Sequence, residues 1–417
     1  MTVVPSSEKE QNLLKGKRCL VLSSLYPPDV LGGAEMSAYN LAQWLRNAGC
    51  EVGVLTTAQS PEEVCEGKEE NGIKVWRIWM PRLYSMYHMS TAKAWQKPFW
   101  HLQDHIDPRN RTLVARVLDA FRPEHVNIHI LQGIGYNVLA EIGRRNIPTT
   151  FFLHDLGLAC IRMAMFRKGS ECTRPCGLCR ISSAYKASLV AQVPRIGFCS
   201  PSRANLEKLA QYFPVKGYRN AAIMNPNTYP PATTERRPSD VLRLLYVGRL
   251  HSTKGVDILL AAAAVLAETY SFTLTIVGSG PDEQTLRTKY AAARWCHFTG
   301  FVSQMEISNL MINSDLLCIP SVWLENSPGV VIHALGLGLP VIGSDKGGIP
   351  ELVEAGKNGL LFPANDEAAL RRVLENILRD SSVLEGWRDY ALAHAHKFDP
   401  DYLGKQIMEL SLAISKG

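Results

Sequence analysis

The apolar and polar residues of the chain repeat a strand, helix and strand pattern over most of its length. Residues 18–24 form a continuous apolar run typical of a buried parallel strand, and residues 34–47 carry apolar side chains at helical spacing. Gly49 ends that helix, and residues 51–57 form the next apolar run. This βαβ unit predicts a parallel sheet covered by helices. Further strands of the first half are predicted at residues 73–79, 125–131, 148–153 and 195–199.

A polar, proline-rich stretch at residues 226–240 interrupts this pattern and predicts a linker. The pattern then restarts, with helices predicted at residues 256–269 and 282–293. The strands predicted for the second half cover residues 242–247, 272–277, 296–299, 316–319, 340–344 and 359–362. We infer an α/β protein with two doubly wound, Rossmann-like domains that face each other across a cleft. In such sheets ligands bind beyond the carboxyl ends of the strands.

This pattern divides the chain into consecutive parts. We predict a flexible N-terminus, an N-terminal domain with a cysteine-rich loop at residues 160–180, the linker, a second domain and a C-terminal helix. The bounds are 1–17, 18–225, 226–240, 241–395 and 396–417. We expect the last helix to pack back on the N-terminal domain.

Length and composition agree with two folded domains. The 417 residues, 46% of them hydrophobic, exclude a disulfide mini-protein and a disordered chain. The net charge of +6 is compatible with a phosphate-bearing ligand or an anionic membrane surface, and it does not indicate nucleic-acid binding. Residues 1–17 lack the apolar core of a signal peptide, and no apolar run reaches the roughly 18 residues that a membrane span needs. We therefore expect a cytoplasmic protein with reduced cysteines.

The strand ends of the second half carry groups that suit an anionic ligand. Arg249 and Lys254 follow a predicted strand in a glycine-containing loop, where a planar guanidinium and a point charge suit a diphosphate. Ordinary solvated cations are the alternative interpretation. The loop at residues 276–281 lacks the G-x-G-x-x-G fingerprint, so nicotinamide binding is not indicated.

The loop before the predicted helix that starts at Pro328 carries a carboxylate, Glu325. The free amides of Gly329 and Val330 would form an anion site at the N-terminus of that helix. Glu325 could then bind sugar hydroxyls and stabilise developing positive charge. A purely structural capping role for this stretch is the alternative.

These stretches resemble family 4 of the retaining glycosyltransferases with the GT-B fold, which use nucleotide-sugar donors. The matching segments occur in the expected order along nearly the whole chain: Gly32-Gly-Ala-Glu35, His154-Asp155, Gly248-Arg-Leu with Lys254-Gly255, the Glu325 loop, and Gly347-Gly-Ile-Pro-Glu351. The resemblance implies an acceptor-binding N-terminal domain and a donor-binding second domain. It also implies a UDP- or GDP-sugar donor, and a glycan, lipid-linked glycan or glycosylated natural product as acceptor.

The resemblance also implies roles for individual residues. Four residues are implied in catalysis: His154 at the transferred sugar, Glu325 at its hydroxyl groups, and Arg249 and Lys254 at the diphosphate. Other residues are implied in donor binding, namely Gly33 near the phosphate, the amides of Gly329 and Val330 at the phosphate, Phe301 and Val302 at the base, and also Gly248 and Ser327. The implied reaction is front-face attack assisted by the leaving phosphate, with no metal or other cofactor needed for catalysis.

His333 departs from the family pattern. The family carries a second glutamate eight positions after the first, and this chain has His333 there. Imidazole cannot grip the ribose diol with two oxygens as a carboxylate can. We hypothesise that His333 still contacts the ribose, with weaker donor affinity. The substitution also motivates an alternative function, a nucleotide-sugar-binding protein with lost catalysis, and a GT-B epimerase is a second alternative.

Four cysteines follow His154-Asp155 with C-x11-C-x3-C-x2-C spacing: Cys160, Cys172, Cys176 and Cys179. Four thiolates in one loop suit a tetrahedral structural zinc ion, and free thiols are the alternative. The inner C-x3-C-x2-C spacing also matches the iron–sulfur signature of radical S-adenosylmethionine enzymes. The fourth cysteine argues against that interpretation, because it would occupy the open iron position.

Residues 81–105 combine aromatic residues with Lys93 and Lys97. A core helix with a mobile loop is the simpler interpretation. The alternative is a surface that contacts a glycan or makes peripheral contact with the cytoplasmic face of a membrane.

Overall fold

Two parallel β-sheets, each covered by helices, form the protein. The computed structural model describes residues 15–416 except 31, 89–91, 94 and 168–169. The strands of the first sheet and its associated hairpin are β1 Arg18–Ser23, β2 Glu51–Thr57, β3 Cys65–Glu70, β4 Ile73–Ile78, β5 His125–Ile130, β6 Thr149–Phe152, β7 Phe166–Arg167, β8 Ser170–Glu171, β9 Ile196–Ser200 and β10 Arg219–Ala222. The strands of the second sheet are β11 Leu242–Val247, β12 Phe272–Val277, β13 Cys296–Gly300, β14 Leu316–Ile319, β15 Val341–Ser344 and β16 Gly359–Phe362.

The helices lie mainly between successive strands. Those of the first half are α1 Gly33–Asn47, α2 Gln96–Ile106, α3 Pro108–Phe121, α4 Leu139–Arg144, α5 Gly177–Val190 and α6 Arg203–Ala210. Those of the second half are α7 Val256–Leu266, α8 Glu283–Lys289, α9 Gln304–Ile312, α10 Gly329–Gly336, α11 Ile349–Leu352, α12 Glu367–Arg379, α13 Val383–Ala393 and α14 Pro400–Ser415.

The strand order of both sheets is that of doubly wound domains. The first sheet has the order β10-β9-β6-β5-β1-β2-β4-β3, and the second has β13-β12-β11-β14-β15-β16. All of these pairs are parallel except β3 with β4. Successive residues of β1 enter separate hydrophobic clusters, Leu20 with one and Val21 with the other, because side chains alternate between the two faces of a sheet. The predicted architecture of two Rossmann-like domains is therefore confirmed.

The observed elements differ from the predictions in several places. Strands β7, β8 and β10 were not among the predicted strands. Strand β3 was not predicted, because its residues are mostly charged or glycine and carry no apolar alternation. The interpretation of residues 81–105 as a core helix is wrong, because α2 buries only Trp100 and Asp104 and exposes several large apolar side chains. No helix among the described residues is long and apolar enough to cross a membrane.

Helix α14 packs on the N-terminal domain, against β6, β9 and α1. Leu403, Ile407 and Met408 enter the cluster on one face of the first sheet. Gly404 lies against the indole of Trp44, whose Nε1 donates to Asp401 at 3.2 Å. The C-terminal end of the chain thus joins the two domains by apolar packing.

We expect replacement of Gly404 by alanine to destabilise this packing. The added Cβ would lie 2.2 Å from Cε2 of Trp44, so helix and indole must separate. Overpacking of this kind typically costs about 1–3 kcal/mol of unfolding free energy. Chemical denaturation, followed by circular dichroism, measures this loss.

Gly386→Ala is the matched control. Gly386 lies in α13 with no heavy atom within 4 Å of an added Cβ. Alanine should stabilise that helix by about 0.5–1 kcal/mol. Equal effects of the two substitutions would contradict the packing of α14 described above.

Candidate active site

The loops after β11 and β14 meet through an ion pair between Lys254 and Glu325. Lys254 Nζ donates to Glu325 Oε1 at 2.6 Å, and the ammonium lies 5.0 Å from the ring centroid of Trp323. Ser321 Oγ and Trp323 Nε1 donate to the same oxygen at 2.6 and 3.0 Å. All three donors therefore converge on Oε1, and Oε2 has no partner in the part of the chain that is described. One carboxylate oxygen is left to accept hydrogen bonds from a ligand.

The charge of Glu325 is stabilised by these donors. Burial would raise the pKa of the carboxyl, but the Lys254 ammonium and the hydrogen bonds from Lys254, Ser321 and Trp323 outweigh it and hold the pKa below its ordinary value. Glu325 is therefore an ionised carboxylate at neutral pH.

Glycines allow the loops of this site to approach one another closely. Gly347 has φ +61°, and a Cβ on it would lie 2.0 Å from the carbonyl oxygen of Glu325. Gly348 N donates to that oxygen at 2.8 Å. Gly255 has φ +66°, and its Cβ would lie 1.9 Å from the carbonyl oxygen of Pro320. Only glycine combines a positive φ with this close approach of backbone to backbone.

Unpaired donors lie near the start of α10. Val331 N and Ile332 N donate to Pro328 O, and no acceptor is recorded for the amides of Gly329 and Val330 among the described residues. The hydroxyl of Ser327 is buried without a partner. Together these groups form the donor set that an anion needs at a helix N-terminus.

Arg249 follows Gly248 directly after β11, and its side chain is exposed with no hydrogen bond or ion pair to any residue described. The close packing of this loop involves Gly278, whose Cβ would lie 2.0 Å from Gly248 O. Arg249 is thus held at the strand end with its guanidinium free for a ligand.

Phe301 and Val302 follow β13. Phe301 is 84% exposed, whereas Val302 packs against an apolar cluster of the second domain. Of the two, Phe301 offers the surface on which a base could stack.

Gly33 is exposed at the first position of α1, and no side chain caps this helix. Glu35, which we did not predict as a site residue, is buried, and its carboxylate lies close to Gly32 and to its own backbone amide. Burial raises the pKa of Glu35, although its own amide and that of Gly32 lower it.

His154 follows β6 and pairs with a second histidine that sequence reasoning missed. Its Nε2 lies 2.8 Å from Nδ1 of His129, which lies on β5, and the two rings stack with centroids 5.0 Å apart. Burial lowers the pKa of His154 to about 4 and also lowers that of His129. His154 is therefore neutral at pH 7, and Nδ1 is the ring nitrogen left for a ligand.

A buried lysine contacts the loop that follows His154. Lys186 Nζ donates to Gly157 O at 2.6 Å and lies 4.3 Å from the ring centroid of Tyr136. Burial lowers the pKa of Lys186 to about 8, and burial raises that of Asp155 to about 6. Lys186 fixes the start of the loop that follows His154.

Contacts between the domains bring the His154 and Glu325 segments together. Asn326 Nδ2 donates to Leu153 O at 2.9 Å, and Ser202 Oγ donates to Asn326 Oδ1 at 2.7 Å. Glu351 accepts from the amides of Arg203 and Ala204 at 2.8 Å each. His154 follows Leu153 in the chain and Glu325 precedes Asn326. The hydrogen bond between Leu153 and Asn326 therefore holds the His154 and Glu325 segments next to each other.

His333 is buried in α10. Its ring stacks on Tyr229 with centroids 4.2 Å apart, and its Nε2 lies 3.0 Å from Ser308 Oγ. The Ser308 hydroxyl also lies 2.7 Å from Pro230 O, to which it donates, so it accepts from His333 Nε2–H. Burial lowers the pKa of His333 to about 4, which leaves Nδ1 of a neutral ring as an acceptor.

The four cysteines of the predicted zinc site do not form a metal-binding group among the described residues. No group of three or more His, Cys, Asp or Glu side chains could hold a metal ion within the ranges that the structure covers. Cys160 and Cys179 are buried with their sulfurs 3.9 Å apart, whereas Cys176 is exposed at the start of α5 and Cys172 packs against the apolar core. Cys176 also interacts with Cys179, whose backbone and side chain both lower the pKa of the Cys176 thiol by hydrogen bonding. Three of the four cysteines are thus close together, and zinc binding stays a prediction.

Comparisons with known proteins match both halves of the chain to glycosyltransferases. Residues 32–190 match the family described as glycosyl transferase 4-like domain, and residues 234–394 match glycosyl transferases group 1. The amylovoran biosynthesis glycosyltransferase AmsK of Erwinia amylovora is 34% identical over 142 residues. The aligned segment spans 32% of this chain and 35% of that relative.

Solved structures share the fold over nearly the whole chain. Sucrose-phosphate synthase of Thermosynechococcus elongatus superposes with a TM-score of 0.73 at 17% identity, covering 95% of this chain and 98% of that one. Anabaena HepE in complex with UDP-glucose superposes with a TM-score of 0.65 at 18% identity, covering 94% and 98%. At these identities the likeness establishes the fold.

We expect Gly347→Ala to weaken nucleoside diphosphate binding. Its Cβ must displace the Glu325 carbonyl, and with it the carboxylate that Lys254 contacts. Titration calorimetry with UDP and GDP should show a loss of affinity of about tenfold or more, which is the size expected for a displaced charged group.

Gly356→Ala is the matched control, because it tests the effect of backbone strain without a steric clash. Gly356 has φ +79° with no atom within 4 Å of an added Cβ, so its substitution carries the strain alone. We expect its nucleotide affinity to stay at the wild-type value. Equal losses in the two variants would contradict the role assigned to the Gly347 contact.

Proposed function

Because the chain belongs to the GT-B glycosyltransferases, with a glycosyl transferase 4-like domain before a group 1 domain, we propose that it is a retaining, metal-independent enzyme. In this proposal it transfers a sugar from a UDP- or GDP-sugar to a hydroxyl group of a glycan, lipid-linked glycan or natural product. The single observation that carries the proposal is the convergence of Lys254, Glu325 and the unpaired donors at the start of α10.

The departing diphosphate is stabilised by groups already in position. The Lys254 ammonium has three N–H donors and uses one of them for Glu325, so it can contact a phosphate without losing the ion pair. Arg249 adds a planar guanidinium, and the amides of Gly329 and Val330 with Ser327 Oγ complete the cradle. Such preorganised donors lower the barrier because they need no rearrangement as charge develops on the leaving group.

The sugar lies between the two domains in this proposal. Oε2 of Glu325 accepts from its hydroxyl groups on one side, and Nδ1 of neutral His154 contacts it on the other. With no carboxylate assigned as a nucleophile at the anomeric carbon, the acceptor hydroxyl attacks on the face that the diphosphate leaves. The leaving phosphate then receives the hydroxyl proton, and the anomeric configuration is retained.

The donor class is supported by a structural neighbour. The solved HepE complex contains UDP-glucose, and the same fold here presents an exposed Phe301 where a base could stack. A thermal-shift screen of UDP- and GDP-sugars identifies the donor, because a ligand that binds only the native state raises the unfolding temperature.

We expect Glu325→Gln to lower kcat/KM for sugar transfer by about 100-fold or more, as found when a charged transition-state contact is removed. Release of nucleoside diphosphate from the donor identified by the screen measures the rate. Glu385→Gln, which changes an exposed carboxylate of α13, is the matched control and should retain full activity.

The same assay separates enzyme from binding protein. Release by the wild type that disappears in Glu325→Ala would exclude a protein that only binds nucleotide sugars. A wild type that binds a donor tightly but releases no nucleoside diphosphate with any acceptor tested would contradict the proposed activity.

We further propose that His333 contacts the donor ribose through Nδ1. Because a carboxylate accepts from both ribose hydroxyls, His333→Glu should raise nucleoside diphosphate affinity, by about tenfold if one charged hydrogen bond is gained. Titration calorimetry measures the change, and His333→Gln, which adds no charge, should show no gain. A lower affinity in His333→Glu would contradict this role of His333.

A further inference from the structure

Helices α2 and α5 present large apolar side chains to solvent. Four of them recur at intervals of four, three and four residues, which places them on one face of α2: Trp95, Phe99, Leu102 and Ile106. Leu178 and Ile181 share a face of α5 in the same way. These six side chains, which we call the apolar ridge, are between 57% and 71% exposed.

The opposite face of α2 is fixed to the domain. Trp100 is fully buried, stacks on Tyr84 with centroids 5.5 Å apart and donates to Tyr84 O at 2.8 Å. Asp104 is paired with Arg82 at 3.0 Å. Helix α2 is therefore anchored to the domain through its inner face, and its solvent-facing side carries the apolar residues of the ridge.

The two halves of the ridge lie next to each other. His105 Nε2 lies 2.9 Å from Ser182 Oγ, and Tyr185 Oη donates to His105 O at 2.8 Å. His105 immediately precedes Ile106, and Ser182 immediately follows Ile181. One continuous surface thus carries the apolar face of both helices.

Exposed positive charge flanks the ridge along the chain. Five exposed cations lie in the segments flanking the ridge, and none of them has an ion-pair partner in the described ranges: Lys93, Arg162, Arg167, Arg174 and Arg180. The acidic residues of the same segments are engaged, Asp104 with Arg82, Asp107 with Arg109, and Glu171 with Lys346. The apolar ridge is therefore flanked along the chain by net positive charge.

We propose that the apolar ridge docks this protein onto the surface of an anionic lipid bilayer. Aromatic and aliphatic side chains on one helical face, bordered by Lys and Arg, are the features by which a helix enters the boundary between headgroups and acyl chains. The unpaired cations favour phospholipid headgroups with net negative charge over a neutral surface. A second protein copy with the same flanking cations would be repelled.

The ridge lies on the cleft side of the N-terminal domain. Asp104 Oδ1 accepts from Gly133 N, beyond the carboxyl end of β5, at 3.0 Å. Lys186 of α5 contacts Gly157, close to His154, at 2.6 Å. Docking would therefore place the cleft next to the bilayer. If the proposed sugar transfer is correct, this position favours a lipid-linked glycan as the acceptor.

Flotation with vesicles tests the docking without donor or acceptor. We expect the wild type to float with phosphatidylcholine vesicles that contain phosphatidylglycerol and to stay in solution with phosphatidylcholine alone. Phe99→Ser combined with Leu178→Ser should weaken binding by about tenfold or more, since apolar burial contributes to the affinity of such helices. Arg174→Gln with Arg180→Gln should weaken binding to the anionic vesicles and reduce its sensitivity to salt.

The matched control replaces apolar residues away from the ridge. Val265→Ser with Met305→Ser removes two exposed apolar side chains of the second domain and should leave vesicle binding unchanged. Wild-type flotation that is equal for both kinds of vesicle, or equal in the ridge variant, would overturn the proposal. So would a wild-type dimer, seen by sedimentation, that Phe99→Ser with Leu178→Ser dissociates without any vesicle binding.

Donor hydrolysis measured in the absence of vesicles reports on the proposed reaction separately. If the protein hydrolyses the donor but does not float, the proposed reaction stands and the proposed docking surface is wrong. If it floats but never releases nucleoside diphosphate, the docking surface stands and the proposed reaction is wrong.

Discussion

The carboxylate of Glu325 imposes the constraint on which the cleft side of the second domain depends. A carboxylate buried at a domain boundary is costly unless charged and polar donors compensate it. Here Lys254 comes from the loop after β11, and Ser321 and Trp323 come from the loop after β14. The backbone of Glu325 is held from the loop after β15 by Gly348 N. Three strand ends are therefore fixed relative to one another by the need to satisfy one residue.

The same constraint explains why glycines occur at these strand ends. Two backbone segments approach more closely than a Cβ would allow at three places: Gly255 with Pro320, Gly278 with Gly248, and Gly347 with Glu325. Larger residues would push the loops apart and move Lys254 away from its partner. The glycine motifs thus serve the packing of the loops, and the free amides and unpaired side chains beside them are what remains available to a ligand.

Local pattern was sufficient to predict the fold and the strand-end loops of the candidate site, because buried parallel strands are continuous apolar runs and those loops follow from them. The roles of individual site residues came from the family resemblance and stay predictions. Local pattern could not predict His129, because a histidine inside an apolar strand becomes a site candidate only when β6 places His154 beside it. The cysteine spacing could not by itself establish a metal site. Proximity in sequence suggested one metal site, and Cys160, Cys179 and Cys176 do contact one another in turn, but Cys172 packs against the apolar core. The apolar residues of 81–105 suggested burial, and only their neighbours decide that Trp100 is buried while Phe99 is exposed.

The segment Gly347-Gly-Ile-Pro-Glu351 connects the site to the other domain. Its first glycine fixes Glu325, and its glutamate accepts two amide hydrogen bonds at the start of α6 in the other domain. Asn326 and the Lys346–Glu171 ion pair at 2.9 Å add further polar contacts, and Leu324 adds an apolar one. Water can replace polar contacts when domains separate, so an interface of this kind opens at smaller cost than an apolar one. The contacts that build the candidate site within the second domain do not cross the boundary, because Lys254, Ser321 and Trp323 all belong to it. The carboxylate and its donors are therefore held together by contacts that do not depend on the position of the other domain.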